Sequence, residues 1–79
     1  MKTKNLEFSG TVVSIQPNAN YVIKINHKGT EFFALCYLCG KMTKHFINPE
    51  IGDAVKVEIS PFDLNNGDKI KGRIIQRMK

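Results

Sequence analysis

The chain has no apolar run longer than the eight residues Phe32 to Cys39, less than half of the roughly 20 that a helix needs to cross a bilayer. Met1-Lys2-Thr3-Lys4-Asn5 is basic, but no apolar core segment follows it, so neither a secretory signal nor a membrane anchor is expected. No segment is long enough to supply crossover helices, which excludes a doubly wound parallel sheet. Internal repeats and low-complexity tracts are absent. So are paired carboxylates in a recognisable setting, a serine–histidine constellation and a glycine-rich phosphate loop; an enzyme is not expected.

Cysteine is scarce as well. Cys36 and Cys39 form one Cys-x-x-Cys pair, half of the four ligands that a structural zinc site takes. His27 and His45 lack the His-x3–5-His spacing that would complete it, and a thioredoxin-like motif needs a βαβ context that this chain lacks. No metal and no cofactor is expected. The pair reads as two small residues packed at the end of a strand.

Acid is the other shortage. Twelve Lys and Arg stand against seven Asp and Glu, a formal net charge of +5, with no acid between Glu31 and Glu50 and none after Asp68. Such an excess favours nucleic acid or another anionic surface as partner. With 79 residues and 42% hydrophobic content, residues 1–79 are expected to form one domain with flexible ends at about 1–5 and 78–79. A domain this small buries only ~60% of its unfolded surface, so it works through its exterior.

The residues that are present spell strands. Residues 6–15 are rich in β-branched side chains, with Leu6, Phe8 and Val12 on one face and Val13 and Ile15 on the other. Gly10 stands where a strand coils round a barrel corner. Gln16-Pro17-Asn18-Ala19-Asn20 is a turn, with the asparagines suited to left-handed backbone. Tyr21, Ile23 and Ile25 alternate with Val22, Lys24 and Asn26, and His27-Lys28-Gly29-Thr30 closes a hairpin. Residues 31–37 are apolar on both faces, which predicts a central or covered strand. One or two helical turns are predicted within 38–46. A turn at 48–53 leads to a fourth strand carrying Val55, Val57 and Ile59, and 60–68 reads as a loop.

Two basic features stand out. Lys41, Lys44 and (when protonated) His45 can donate to phosphate, while Met42 and Phe46 can offer apolar surface to a base, in a stretch with no acid beside it. In the last strand Lys69, Lys71, Arg73, Arg77 and Lys79 are all odd-numbered. A period of two makes them a stripe of cations roughly 6.6 Å apart, close to the phosphate spacing of an RNA strand. Three strands, a short helix and two more strands predict an all-β, five-stranded Greek-key barrel of the OB type.

Gly10-Thr11-Val12, Pro17-Asn18 before Tyr21, Gly40-Lys41-Met42, Gly52-Asp53, Pro61-Phe62-Asp63-Leu64 and Gly72-Arg73-Ile74 occur in the order seen in bacterial translation initiation factor 1. The chain resembles that family, an S1-like OB-fold, from about Leu6 to Arg77. The resemblance implies binding to the small ribosomal subunit at the decoding (A) site through its rRNA. It also implies cooperation with the other two bacterial-type initiation factors in placing initiator tRNA. From the residues themselves, the missing signal and span predict no membrane attachment and a location in the cytoplasm or an organelle with bacterial-type ribosomes, and nothing calls for self-association, so a monomer is expected. By resemblance Lys41 and Lys44 pair with phosphates, Met42 helps set the loop, Phe46 stands at the family's aromatic, and Arg73 and Arg77 fall on its two terminal-strand arginines; Thr43, His45, Lys69 and Lys71 complete the expected rRNA-binding set.

The chain departs from the family at several of these places. Thr43 stands where arginine is usual, Asn48 and Pro49 replace a further arginine, and Cys39 replaces a common serine. Gly67-Asp68-Lys69-Ile70-Lys71 lengthens the approach to the last strand. Threonine cannot reproduce the bidentate contact of a guanidinium, and Lys69 and Lys71 are placed to restore its charge. The alternative is a cold-shock-like single-stranded RNA-binding protein or RNA chaperone on the same barrel, which would need clustered aromatics on adjacent strands. Phe8, Tyr21, Phe32, Phe33, Tyr37, Phe46 and Phe62 look scattered.

Overall fold

A computed structural model describes residues 5–45, 48–64 and 70–78. Five strands, β1 (Leu6–Gln16), β2 (Asn20–His27), β3 (Thr30–Leu38), β4 (Ala54–Ile59) and β5 (Lys71–Met78), close into a barrel in the order β1-β2-β3-β5-β4. α1 (Gly40–Lys44) lies between β3 and β4, and α2 (Pro61–Leu64) between β4 and β5. All neighbouring pairs are antiparallel except β3 and β5. The predicted OB-type barrel with its short helix after the third strand is therefore present. The segment expected as loop from residue 60 holds an additional turn of helix. Its start is chemical: the Ser60 hydroxyl accepts from the Phe62 N–H at 3.2 Å, and Pro61 takes the first helical position, where its missing N–H costs nothing.

The inward faces of the strands supply Val12, Ile23, Ile25, Ala34, Cys36, Val55, Val57, Ile59 and Ile74, with Tyr21 and Met42 closing one end. Burying each of the four isoleucines contributes about 1.5–3 kcal/mol. Phe8, Phe32, Leu64 and Ile70 pack against the core, the two phenylalanines edge to face at 5.7 Å. Gly10 pairs with Ile25 on one side and Val55 on the other, so the backbone itself forms the barrel wall there. An added Cβ would lie 2.5 Å from Ile23 Cγ2 and 2.8 Å from the Lys24 carbonyl oxygen. The Gly52-Asp53 turn is fastened to the same strand, since Gly52 N–H donates to the Val12 carbonyl and Val12 N–H to the Asp53 carbonyl.

Two bulges revise the faces expected from strict alternation. In β1 the register shifts between Val12 and Ser14, so Val13 is the extra residue and Ile15, opposite Tyr21, returns to the face that Tyr21 occupies. In β5 Gln76 opposes Lys56 and Ile74 opposes Val57, leaving Ile75 as the extra residue. Beyond it parity reverses, because one inserted residue exchanges the two faces. At the two ends of the described chain, Asn5 donates to Glu58 at 3.2 Å, and Met78 opposes Ala54 in the ladder.

The β1–β2 turn also differs from expectation. Ala19, not an asparagine, takes the left-handed conformation (φ 61°), its N–H donating to the Gln16 carbonyl at 3.2 Å. A three-residue hairpin loop places its last residue there whatever its identity. Ala19→Gly should therefore relieve strain and raise stability by about 0.5–1 kcal/mol, read as a thermal midpoint a few degrees above wild type.

Candidate nucleic-acid interface

A five-residue helix cannot hold itself together in water, so α1 exists because the barrel holds it. Met42, its one large apolar side chain, is 2% exposed in the core. The preceding Cys39 N–H donates to the Ile74 carbonyl at 3.0 Å, which ties the start of the helix to β5. With Met42 inward, Lys41, Thr43, Lys44 and His45 are all exposed, and both lysines lie in the last turn, where the helix dipole favours cations. Met42 is thus unavailable to a base. It is the anchor of a basic turn, because an amphipathic turn buries its only apolar residue. Thr43 has its hydroxyl turned back on the helix, donating to the Cys39 carbonyl at 3.2 Å. Phe46 and Lys69 lie outside the described residues.

β1, β3 and β5 run in one direction, and α1 follows β3 at the end where β5 also finishes. The cations of β5 do not form the unbroken stripe expected from their numbering. Lys71 and Arg73 are on the outer face, opposite Leu35 and Tyr37 of β3. Arg77 falls beyond the bulge, shares the face of Val55 and sits at the barrel end near which α1 is attached. Arg73 is also paired. Its guanidinium donates to Glu58, which accepts from Asn5 too. The hydrogen bonds from Asn5 and from Arg73 hold the Glu58 carboxyl below the usual carboxylate range, and Glu58 in turn raises the Arg73 guanidinium. A lowered carboxylate stabilises the fold above its ordinary range and loses that contribution as pH falls through the lowered value. At this partly exposed position the contribution is small.

The outer face of β3 is the feature that the sequence reading missed. Phe33 and Tyr37 are 53% and 54% exposed, with the exposed Leu35 between them. Nothing among the described residues covers this face, so β3 is neither sandwiched nor roofed by the segment after it. A barrel wall has only one inner side, and the apolar residues of the second face are left in solvent. The signal was the i, i+2, i+4 spacing of Phe33, Leu35 and Tyr37, whose exposure only barrel closure could decide. Cys36, on the inner face, is fully buried, and desolvation pushes its thiol up to about 12. That removes the thiolate needed for nucleophilic or redox chemistry near neutral pH. Among the described residues, no three His, Cys, Asp or Glu side chains group as metal ligands.

No protein-family model matches the chain. Among solved structures, translation initiation factor 1 from the Wolbachia endosymbiont (strain TRS) of Brugia malayi matches at 31% identity with a TM-score of 0.63. The match covers 96% of this chain and 80% of that one. The chain belongs to the translation initiation factor 1 family. Within the family frame, Gly10, Gly52-Asp53 and Pro61-Phe62-Asp63-Leu64 make a close approach, a pinned turn and a capped helical turn, while Gly40-Lys41-Met42 sets the basic turn. YjeQ from Thermotoga maritima matches with a TM-score of 0.64, covering 94% of this chain but 23% of its own length. At 24% identity that likeness concerns the fold alone.

Proposed function

We propose that this protein is a translation initiation factor that docks on the small ribosomal subunit at the decoding (A) site through rRNA. It there assists the other two initiation factors and the placement of initiator tRNA, in the cytoplasm or an organelle with bacterial-type ribosomes. Its action is binding rather than catalysis. The observation that carries the reading is the basic turn of α1, displayed on a barrel of this family with Met42 locking it in place. Phosphates reward cations that need no further ordering. In this reading Lys41 and Lys44 contact phosphates, His45 joins them when protonated, and Met42 acts only through the helix. Thr43, its hydroxyl engaged, contributes no phosphate contact through it. Lys71 and Arg77 add charge, Arg73 exchanges Glu58 for phosphate, and Phe46 and Lys69 extend the contact surface.

Co-sedimentation with purified small subunits, with chemical footprinting of the decoding-site bases, tests this. Saturable binding with protected decoding-site adenines is expected. Among the described residues, Lys41, Lys44, Lys71 and Arg77 have no carboxylate partner in the ion pairs of the fold. If each neutralises one phosphate, log K should fall against log[salt] with a slope of about −2.8 to −3.6. A slope near zero would remove electrostatic docking.

A further inference from the structure

We propose that Glu58 is an intramolecular competitor that takes Arg73 back from a bound phosphate and so shortens the protein's stay on RNA. The inference rests on the reading that Arg73 contacts phosphate, and it names what limits that contact.

Glu58 stands directly across the β4–β5 ladder from Arg73, and its Oε1 accepts from the guanidinium. The same oxygen accepts from the Asn5 amide at 3.2 Å, so the residue just before β1 also holds the carboxylate in place. Exposure divides the pair unequally. The Glu58 side chain is 20% exposed and that of Arg73 43%, which makes the carboxylate the seated partner and the guanidinium the one with room to move. When Arg73 leaves, Asn5 still holds Glu58, and recapture needs little further ordering.

The space in front of the pair has the chemistry of a contested phosphate site. A pocket of about 180 Å³ has Asn5, Glu58, Ser60, Asp63, Lys71 and Arg73 in its lining. Lys71 and Arg73 attract a phosphate there, while Glu58 and Asp63 repel it, since ionised carboxylates have no proton to donate. Lys71 has no carboxylate partner in the ion pairs of the described residues, so it meets phosphate without breaking anything. Arg73, two residues on, must first give up Glu58. A part-exposed pair adds little to stability, yet that small energy acts each time Arg73 changes partner.

The test is the dissociation rate of fluorescently labelled protein from purified small subunits, chased with unlabelled protein. Wild type would be compared with Glu58→Gln, Arg73→Gln and the double variant. Glutamine keeps the shape and an acceptor oxygen for Asn5 while removing the charge, and matching thermal midpoints confirm the fold. Glu58→Gln should bind about three- to fivefold more tightly, the scale of one part-exposed ion pair. Most of that gain should be slower dissociation, because loss of a close partner acts on release and loss of a distant charge on encounter. In the Arg73→Gln background the same change should leave dissociation as it was. An equal gain in both backgrounds, or one confined to association, would overturn the proposal, since Glu58 would then act by repulsion at a distance. So would a lowered midpoint with unchanged dissociation, the mark of a merely structural pair. The same cycle on a short mixed-sequence RNA duplex in low salt separates this inference from the ribosomal reading. Slower release of Glu58→Gln from the duplex, with no variant binding subunits, would support the competitor and remove the decoding-site role.

Discussion

Lys41→Ala/Lys44→Ala is expected to weaken binding to small ribosomal subunits roughly 25- to 60-fold in 0.1 M salt, with the fold untouched. Each cation that neutralises a phosphate contributes about 0.7 to 0.9 to the salt slope. Losing two should flatten that slope by about 1.4 to 1.8, and at 0.1 M relative to 1 M this amounts to the stated loss. Stability should not follow, because both side chains are exposed, and Met42 in the core and the Cys39 N–H on the Ile74 carbonyl hold the helix without them. The double variant should therefore melt with wild type and fail to protect the decoding-site adenines. Unchanged co-sedimentation at 0.1 M salt would move the docking surface off α1.

The largest stability effect should come from Gly10→Ala. The new methyl would stand 2.5 Å from Ile23 Cγ2 and 2.8 Å from the Lys24 carbonyl oxygen. Ile23 is fully buried, and the carbonyl belongs to the neighbouring strand, so neither can move aside without moving the barrel wall. Overpacking of this kind costs about 1–3 kcal/mol, and contact with a backbone atom puts the cost at the upper end. Domains of this length have about 4–12 kcal/mol in total. A fall of roughly 10–20 °C in the thermal midpoint is expected, whereas Thr11→Ala, exposed on the opposite face, should change little. A midpoint within about two degrees of wild type for Gly10→Ala would mean that β1 and β2 do not approach this closely.

Both variants bear on why some of this protein could be read before its fold was known. The strands, their turns and the basic stretch at 40–46 were legible because each follows from local chemistry. β-branched alternation marks a pleated strand, proline and glycine mark the turns, and an absence of acid leaves the lysines unneutralised. Gly10 was legible too, since a glycine inside such a strand has few purposes other than a close approach. The helical turn at Pro61 was passed over because Asn65-Asn66-Gly67 after it is a strong turn signal that masks the Ser60 cap.

What sequence by itself determined here is the class of object: a small, basic, five-stranded barrel with a cationic turn after its third strand. Tertiary structure alone decided which side chains that barrel offers to a partner. Period-two reasoning assigns residues to two faces but cannot say which face is inside, or where an inserted residue exchanges them. The bulge at Ile75 took Arg77 off the face of Lys71 and Arg73, and Glu58, distant in sequence, came to hold Arg73. Closure of the barrel drew Met42 into the core and left Phe33 and Tyr37 in solvent. A strand has one inner side in a closed barrel, and only the closure says which residues are on it.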